Sequence, residues 1–380
     1  MPLEYLLLLF LALVGACIGS FLNVVIYRLP EGKSLVHPPS ACPRCESPIA
    51  WYDNIPILSW LVLRGRCRRC GNAISGQYPL VEASTAALFG GLFACFYLAG
   101  LNPGFAAAGV ERSWPLFLVN LYLVGVLFAG SAIDARYYVL PLRMFWYATG
   151  LALLVTPLAA AFLPPAPAAP AAYPWASGSA IGVAAGGAVG LAVAAALLKL
   201  GVIPRSFDAS DLDADQDQAP DAFLAHPAPR SEVVKELLFV GAPFFGAVAG
   251  YWVMLDRAEA PPPWLAALAG VVLGYLVGAA VVWATRILGT LAFGKEAMGL
   301  GDVHLVAAVG AVAGWKTALV AFFIAPFFGL AWTLASAGLA RIMSRQVRVI
   351  PYGPHLAAAS VLAIAFQQPI FQFLGELFRP

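Results

Sequence analysis

The chain has 380 residues, of which 61% are hydrophobic and 11% are charged. A soluble domain is about one quarter charged and just under half apolar, so this composition is typical of a protein with many membrane-spanning helices. It excludes a disordered chain, a coiled coil and a secreted disulfide scaffold. The 22 basic and 20 acidic residues nearly balance, which gives no reason to expect nucleic acid as a partner.

Apolar segments long enough to cross a bilayer recur along the whole chain. A spanning helix needs about 20 mostly apolar residues, and about ten segments meet this standard. The first segment lacks a basic n-region and a small-residue cleavage site, so we expect a retained anchor and not a signal peptide. The predicted spans cover residues 4–27, 79–98, 114–133, 145–163, 178–200, 236–255, 264–291, two short segments within 303–340, and 355–374. This pattern predicts an all-α polytopic membrane protein.

The charges are concentrated in two windows, which we interpret as the aqueous regions. Residues 28–70 hold ten charged residues and residues 199–236 hold twelve. Seven of the ten charges in the first window are basic, and the positive-inside rule places such a loop in the cytoplasm. We therefore expect the N-terminus to lie outside. With ten spans, the basic residues of the later loops also lie on the cytoplasmic side.

The first window contains two CxxC pairs, Cys42 with Cys45 and Cys67 with Cys70, separated by 21 residues. This spacing is typical of a zinc ribbon, in which each CxxC turn supplies two thiolates and an intervening hairpin closes the site. Two structural disulfides are the alternative, but a cytoplasmic location disfavours them. Four thiolates fill a tetrahedral zinc, so we expect a structural metal that supplies folding energy to the small module.

Two aspartates lie at the cytoplasmic ends of predicted spans. Asp134 follows the apolar run that ends at Ile133, and Asp302 follows Gly299 and Gly301 in the sequence Met298-Gly299-Leu300-Gly301-Asp302. Carboxylates beside hydrocarbon are costly, so a function is the first hypothesis, although Asp134 beside Arg136 could simply decorate a helix end. The two glycines allow backbone and substrate to approach closely. Two paired aspartates suit an aspartic protease, in which one activates water and the other binds the scissile carbonyl.

Helix dipoles suggest different roles for the two carboxyl groups. Asp134 ends a predicted helix, where the dipole disfavours an anion, whereas Asp302 begins one, where the dipole favours an anion. We therefore hypothesise that Asp302 carries the negative charge of the resting pair and Asp134 the shared proton.

These motifs together resemble the type IV prepilin peptidase family, the leader peptidases and N-methyltransferases of bacterial inner membranes. The resemblance rests on separated motifs in the order of the family: Gly19-Ser20-Phe21-Leu22-Asn23-Val24-Val25-Ile26-Tyr27-Arg28-Leu29-Pro30, both CxxC pairs with residues 51–60 between them, Ile74-Ser75, Tyr78-Pro79-Leu80-Val81-Glu82, Ile133-Asp134 with Leu140-Pro141, residues 294–302, and Pro351-Tyr352-Gly353-Pro354.

The resemblance implies a GxGD-type intramembrane aspartic protease with Asp134 and Asp302 as its catalytic pair. Its substrates would be type IV prepilins or type II secretion pseudopilins, cleaved after a glycine at the cytoplasmic membrane face. It also implies methylation of the new N-terminus with S-adenosylmethionine, although residues 28–78 contain no recognisable glycine-rich nucleotide loop. The binding residues for this cofactor stay unknown.

The chain departs from the family pattern at three places. Leu142 follows Leu-Pro where an acidic residue is usual, and His304 stands where lysine is common. We expect His304 either to tune the carboxylate of Asp302 or to cap a helix end. About two spans more than usual lie in residues 164–263, which we interpret as an insertion.

These observations divide the chain into five predicted regions: a first transmembrane helix (1–27), a zinc-binding and methyltransferase module (28–78), spans two to four (79–163), the insertion (164–263) and the last four spans (264–380). The insertion includes an acidic loop whose alternating aspartates suggest an EF-hand. Gln216 and Ala222 occupy the positions that need glycine and glutamate, so we expect a solvated acidic segment. Gly182, Gly186 and Gly190 predict close helix packing.

Two other functions stay open at this point. The first is a peptidase without methyltransferase activity. The second is a transporter with a zinc-binding cytoplasmic domain, which should show inverted repeats and broken helices near the bilayer midplane. The ionisable residues instead cluster at one face, and this favours the protease.

Overall fold

The structure is a computed structural model that describes residues 3–163, 172–206, 229–255, 260–343 and 351–377. The four alternating aspartates of the acidic loop and most of the Ala/Pro-rich loop after span four lie outside the described residues. What we expect of those two segments stays a prediction.

In the described ranges the secondary structure is helical, as the composition predicts. The α-helices are α1 Leu3–Arg28, α2 Leu58–Val62, α3 Gln77–Phe93 with a π-helical turn at Ala94–Leu98, α4 Pro103–Tyr137, α5 Leu142–Phe162, α6 Ser179–Lys199, α7 Pro229–Met254, α8 Pro263–Phe293, α9 Leu300–Ala313, α10 Trp315–Met343, α11 Tyr352–Ala365 and α12 Gln367–Leu377. Eight of these are long and apolar enough to span a membrane, and α11 with α12 forms a ninth, bent candidate. Among the described residues, α9 is a shorter apolar helix that corresponds to the first of the two short segments predicted within 303–340.

Helix α9 lies at the centre of the bundle. Its residues from Val303 to Val312 are almost all buried, and they pack against α4, α5, α8, α10 and α11. At 14 residues and about 1.5 Å per residue, α9 is shorter than a bilayer is thick, but neighbouring helices surround it. The break between α9 and α10 falls at Gly314, within the range 303–340 in which two short spans are predicted.

The first two spanning helices pack closely through small residues. A Cβ at Gly15 would lie 2.6 Å from the carbonyl oxygen of Thr85, and one at Gly19 would overlap the hydroxyl of Thr85. Since Thr85 is completely buried between the helices, α1 is held against α3 along its length. This contact fixes the two helices between which the polar segment lies.

Helices α6 and α7 of the predicted insertion form a tightly packed pair. A Cβ at Gly182, Gly186 or Gly190 would overlap the backbone of Gly250, Gly246 or Ala242 on α7, in that order. The predicted close packing of these glycines is confirmed. Without side chains at the contact the two backbones approach each other, which favours van der Waals packing inside a bilayer.

The last predicted span, 355–374, is wrong as a continuous helix. The chain bends by 89° between α11 and α12. Pro369 explains the break, because it lacks an N–H and its ring would clash with the carbonyl four residues earlier, at Ala365. The backbone N–H of Gln368 donates to the carbonyl of Leu101 at 2.9 Å, which anchors the bend.

The segment between α1 and α3 forms the small polar module, but without the expected hairpin. The residues between the two CxxC pairs form a 3-10 turn at Trp51–Asn54 and the short helix α2. The described residues of the module contain isolated β-bridges and no extended strand. The run Ile55-Pro56-Ile57-Leu58 contains a proline, which cannot donate a backbone hydrogen bond to a neighbouring strand. It also lacks the alternation of apolar and polar residues that is typical of a strand.

Candidate active site and metal centre

Asp134 lies in the last turn of α4, and its side chain is 5% exposed. Tyr138 ends the helix in a left-handed conformation, with φ of 58°, and its N–H donates to the carbonyl of Asp134 at 2.9 Å. Arg136 lies over the ring of Tyr137, with its guanidinium carbon 5.4 Å from the centroid. The neighbouring arginine therefore engages an aromatic ring, and the carboxyl group of Asp134 faces the bundle.

Asp302 lies in the first turn of α9 and is 7% exposed. Its backbone N–H donates to the carbonyl of Gly299 at 3.2 Å, and its carboxylate accepts a hydrogen bond from the N–H of Gly299. This reciprocal pairing is the acidic half of a capping box, because Gly299 is the N-cap residue of α9. The aspartate is thus fixed by the same backbone that begins its helix.

The structure brings the two aspartates together. Their carboxyl groups are close enough to repel each other when both are ionised, although 167 positions separate them along the chain. They come from different helices, α4 and α9, which pack against each other in the core. The packing of α4 against α9 thus brings the two carboxyl groups near each other, and their catalytic role stays a prediction.

A third helix completes this site. The carboxylate of Asp134 accepts a hydrogen bond from the N–H of Gly353, in the first turn of α11. A Cβ at position 353 would overlap Asp134 Oδ2. Asp134 therefore lies at the end of its own helix but also at the N-terminus of α11, where a dipole favours an anion. The dipole of α4 disfavours an anion on Asp134 but that of α11 favours one, so the assignment of the resting charge to Asp302 stays a prediction.

Leu140 fills the space between these elements. Its Cδ1 would lie 3.0 Å from a Cβ at Gly301 and 3.2 Å from a Cβ at Gly353, and its Cδ2 would lie 3.6 Å from one at Gly130. One leucine thus packs against glycines of α4, α9 and α11. The sequence marks Leu140 only as part of a motif, whereas the structure shows it as a spacer between three helices.

A buried arginine holds the loop that leads to Asp302. Arg286 of α8 is 1% exposed, and its Nε donates to Glu236 Oε1 of α7 at 2.7 Å. Its Nη1 donates to the carboxylate of Glu296 and to the carbonyl of Met298. The arginine is also close enough to Asp302 to interact with it electrostatically. This network is not predicted above, although an arginine within an apolar span is a sequence signal for it.

His304 contacts neighbouring helices and does not cap α9. Its Nδ1 accepts from the indole N–H of Trp146 on α5 at 3.3 Å and lies 3.5 Å from the hydroxyl of Tyr275 on α8. The expected helix-cap role is wrong, because Gly299 begins the helix and His304 lies five residues further on. The histidine joins α5, α8 and α9 beside the paired aspartates.

The four cysteines of the polar module converge. Their sulfur atoms all lie within 4.8 Å of one another, with 3.7 Å between Cys42 and Cys70 and 4.0 Å between Cys45 and Cys67. Ligands about 2.3 Å from a tetrahedral zinc lie about 3.8 Å apart, so the four thiols fit this metal. All six cysteines of the chain are free thiols, so the disulfide alternative is excluded in this structure.

Each CxxC pair closes a turn of the same form. The N–H of Cys42 donates to the carbonyl of Ser47 at 3.0 Å, and that of Cys67 to the carbonyl of Asn72 at 2.8 Å. The hydroxyl of Ser47 lowers the pKa of Cys45 to about 6, and backbone N–H groups of Cys70 and Arg69 lower the pKa of Cys67. These donors favour the thiolates of Cys45 and Cys67, the form that binds a metal, whereas burial and the neighbouring cysteines raise the pKa of Cys70 to about 11.

Buried polar contacts attach this module to the spanning helices. Glu82 of α3 is 7% exposed, and its Oε2 accepts from the N–H of Ile57 at 2.6 Å. Ile57 has a positive φ of 62°, which a β-branched residue rarely adopts, so this bond holds a strained turn. Asn23 of α1 donates to the carbonyl of Tyr78 at 3.2 Å. Glu82 is a residue whose role only the structure reveals.

Comparison with known proteins agrees with these features. Residues 13–96 match the family model described as the bacterial peptidase A24 N-terminal domain, and residues 231–334 match the type IV leader peptidase family. The prepilin leader peptidase/N-methyltransferase of Dickeya chrysanthemi is 30% identical over 382 residues, which covers 94% of this chain and 92% of that protein. The chain belongs to the prepilin leader peptidase/N-methyltransferase family. The recognition made from its motifs is confirmed.

Other members of the prepilin leader peptidase/N-methyltransferase family are more similar over shorter stretches. The one from Myxococcus xanthus (strain DK1622) is 48% identical over 136 residues, 36% of this chain and 36% of that protein. The one from Klebsiella pneumoniae is 46% identical over 138 residues, 35% of this chain and 54% of that protein. The chain thus matches about a third and about half of the lengths of these two relatives. No solved structure matches the chain.

Proposed function

We propose that the chain is a membrane-embedded aspartic endopeptidase that removes the leader peptide of type IV prepilins or type II secretion pseudopilins. The observation that carries this proposal is the pair of nearly buried carboxyl groups, Asp134 and Asp302, each bound by the backbone N–H of a glycine. Paired carboxyl groups that share a proton can act as a general base and a general acid in one step.

In the proposed reaction one ionised aspartate removes a proton from water as the water oxygen attacks the scissile carbonyl carbon. The other aspartate, still protonated, donates a hydrogen bond to the carbonyl oxygen. The removed proton then passes to the leaving nitrogen, the C–N bond breaks, and a leader carboxylate and a pilin amine are released. Gly299 and Gly301 support the site by leaving space for the backbone beside Asp302.

Methylation of the new amine is the second proposed activity. It rests on the names of the relatives, which are leader peptidases and N-methyltransferases. S-adenosylmethionine would supply the methyl group, and we place the transfer in the module of residues 28–78. A peptidase without this activity is the remaining alternative.

Zinc is the proposed metal of the module, held by Cys42, Cys45, Cys67 and Cys70. Four sulfurs leave no open coordination position, so the metal would stabilise the fold and would not bind substrate. Exposed basic side chains on this module, such as Arg44 and Arg69, favour the cytoplasmic face. We therefore propose a multi-pass protein of the bacterial inner membrane, with its N-terminus outside and both aspartates near the cytoplasm.

The test is incubation of the purified protein with a prepilin and S-adenosylmethionine, followed by intact-mass measurement. We expect loss of the leader and the gain of one methyl group. Asp134→Asn and Asp302→Asn should each abolish cleavage, whereas Glu111→Gln, an exposed change on the same helix as Asp134, should not. Methylation of a pre-cleaved pilin should persist in both aspartate variants. Full cleavage by either folded variant would refute the aspartic mechanism.

A further inference from the structure

The loop before Asp302 folds back onto the end of α8. Gly294 ends α8 in a left-handed conformation, and the N–H of Ala297 donates to the hydroxyl of Thr290 at 3.4 Å. The carboxylate of Glu296 and the carbonyl of Met298 both bind Arg286 Nη1. The next residue is Gly299, whose N–H binds the carboxylate of Asp302. The position of Arg286 therefore determines where this loop delivers Asp302.

Arg286 is itself held by α7. Glu236 is 2% exposed, and its two carboxylate oxygens are divided between partners, Oε1 with Arg286 Nε at 2.7 Å and Oε2 with the indole N–H of Trp283 at 3.1 Å. The ring of Phe239 stacks on Trp283 with centroids 5.3 Å apart. The hydroxyl of Ser206, which follows α6, lies 3.4 Å from Glu236 Oε1. These contacts attach the guanidinium to the α6–α7 helix pair.

We infer that Glu236 is a positioning residue for the loop of residues 294–299, which precedes Asp302. It acts through Arg286 on Glu296 and Met298. This inference rests on the proposed peptidase function. It gives the α6–α7 pair a role in cleavage: its glycine-packed backbones hold α7 rigidly, and α7 holds the guanidinium that fixes the loop. The burial of these charges supports this assignment. Arg286 binds two glutamates and a backbone carbonyl, and a charged group buried without such a partner would be costly.

The chain offers a matched control on the same helix. Glu232 lies one turn before Glu236 and is 3% exposed, but it pairs with Lys235 of α7 at 2.8 Å. Glu236→Gln and Glu232→Gln therefore remove the same charge at similar burial, the first from the arginine that binds the loop and the second from Lys235. A merely structural effect of losing a buried carboxylate should be similar in both variants.

The first experiment compares the steady-state cleavage of a prepilin by the full-length variants in detergent micelles. Glu236→Gln should lower kcat about 10-fold with KM changed less than about 2-fold, because substrate contacts stay while the reacting groups are misplaced. Glu232→Gln should match the wild type. Glu296→Gln should resemble Glu236→Gln, and the double variant should be no worse than the worse single variant, because both changes act through one arginine. Additive losses would overturn the inference, as would equal losses in the two single variants on α7.

A second measurement does not depend on activity. Hydrogen–deuterium exchange of the amides in residues 294–302 should be faster in Glu236→Gln than in the wild type or Glu232→Gln. Unchanged exchange would overturn the inference even if no cleavage were seen, whereas an inactive wild type with the expected exchange pattern would count against the peptidase proposal alone. If Glu236→Gln does not fold, Trp283→Phe removes one hydrogen bond from Glu236 and keeps the aromatic stacking. It should give a smaller loss of kcat, and a folded Trp283→Phe variant with unchanged kcat and exchange would also overturn the inference.

Discussion

The N–H of Gly353 reaches the carboxylate of Asp134 because residue 353 has no side chain to separate them. Gly301 also lacks a side chain where it contacts Leu140. This contact brings the first turn of α9 against the turn after α4. Glycine is the residue that allows a backbone to approach this closely. At the scale of single residues, the candidate site is therefore defined by missing side chains as much as by its carboxyl groups.

Gly353→Ala should abolish cleavage in a protein that still folds. The added Cβ would overlap Asp134 Oδ2 and lie 3.2 Å from Leu140 Cδ1, so the carboxyl group must move away from its hydrogen-bond donor. We expect kcat to fall at least about 100-fold, because small displacements of reacting groups have effects of this size. The control is Gly150→Ala on α5, where no atom lies within 4 Å of the new Cβ. Wild-type kcat in folded Gly353→Ala would contradict this geometry.

The two glycines of the GxGD motif should differ in their tolerance of alanine. A Cβ at Gly301 would lie 2.7 Å from Leu140 Cβ, whereas the nearest atom to one at Gly299 is Asp302 Oδ2 at 3.7 Å. Gly299 also has an ordinary φ of −74°. Gly301→Ala should therefore lower kcat/KM at least about 10-fold, and Gly299→Ala only about 3-fold. If steady-state kinetics show that both variants are equally impaired, the requirement at Gly299 comes from the substrate and not from the packing of the free protein.

Two CxxC turns, one 3-10 turn and one short helix make up most of the polar module between α1 and α3, so the module has little apolar core of its own. Cys42 is the one hydrophobic residue of its two CxxC turns that is buried. The paired contacts of Asp53 with Arg68, at 2.7 to 3.1 Å, link the 3-10 turn to the second CxxC, and this arginine lowers the pKa of Asp53. At the scale of the element, the proposed zinc would supply much of the folding energy.

Metal removal should therefore unfold the module before the spanning helices. We expect one zinc per chain by metal analysis, and its loss in Cys42→Ser and Cys67→Ser. In the metal-free protein, protease cleavage should appear within residues 28–78 while helical circular dichroism is retained. Cys17→Ser, at an exposed thiol of α1 away from the cluster, should keep the zinc. An unchanged metal content in the first two variants would refute the assigned site.

Glu82 is the second support of the module, and its loss should have a different signature. Glu82→Ala removes the acceptor for the N–H of Ile57, whose backbone is strained. Since a hydrogen bond to a charged group contributes about 1.5–3 kcal/mol, we expect faster proteolysis of the module with zinc still bound. Measuring zinc content and proteolysis on the same sample separates this effect from metal loss.

The whole molecule combines a helical bundle around α9 with the α6–α7 pair beside α8. The loop that joins α6 to α7 includes the acidic residues of 207–228, and its composition cannot form a packed core. Replacing residues 207–228 by a Gly/Ser linker of equal length should therefore leave prepilin cleavage within about 3-fold of the wild type, because Ser206, Glu236 and the glycine contacts are all kept. A folded replacement without activity would show that the acidic segment contacts the substrate or the site.

Gly186→Val is the contrasting change. The valine side chain would separate α6 from α7 and should lower the thermal stability of the protein.

The amino-acid sequence by itself determined the helical membrane class, the positions of most spans, the four clustered cysteines and the two aspartates. Each of these follows from local composition or spacing: apolar runs of bilayer length, CxxC pairs, and carboxylates at the ends of apolar runs. The glycine spacing on α6 was also sufficient to predict close helix packing, because residues four apart lie on one helix face. The last span was predicted too long because hydropathy does not register the backbone effect of Pro369.

Only the tertiary structure decided which distant groups meet. Gly353 donates to Asp134, Leu140 separates three helices, and Glu236 holds Arg286, yet in each case the partners are far apart in the chain or belong to different helices. The sequence likewise shows only the dipole of α4 at Asp134, whereas in the fold the N-terminus of α11 also lies there. A periodic pattern tells which face of a helix is apolar, but not which helix it will pack against. That choice depends on the shape of the whole bundle, so the electrostatics of the candidate site could be derived only after the fold was known.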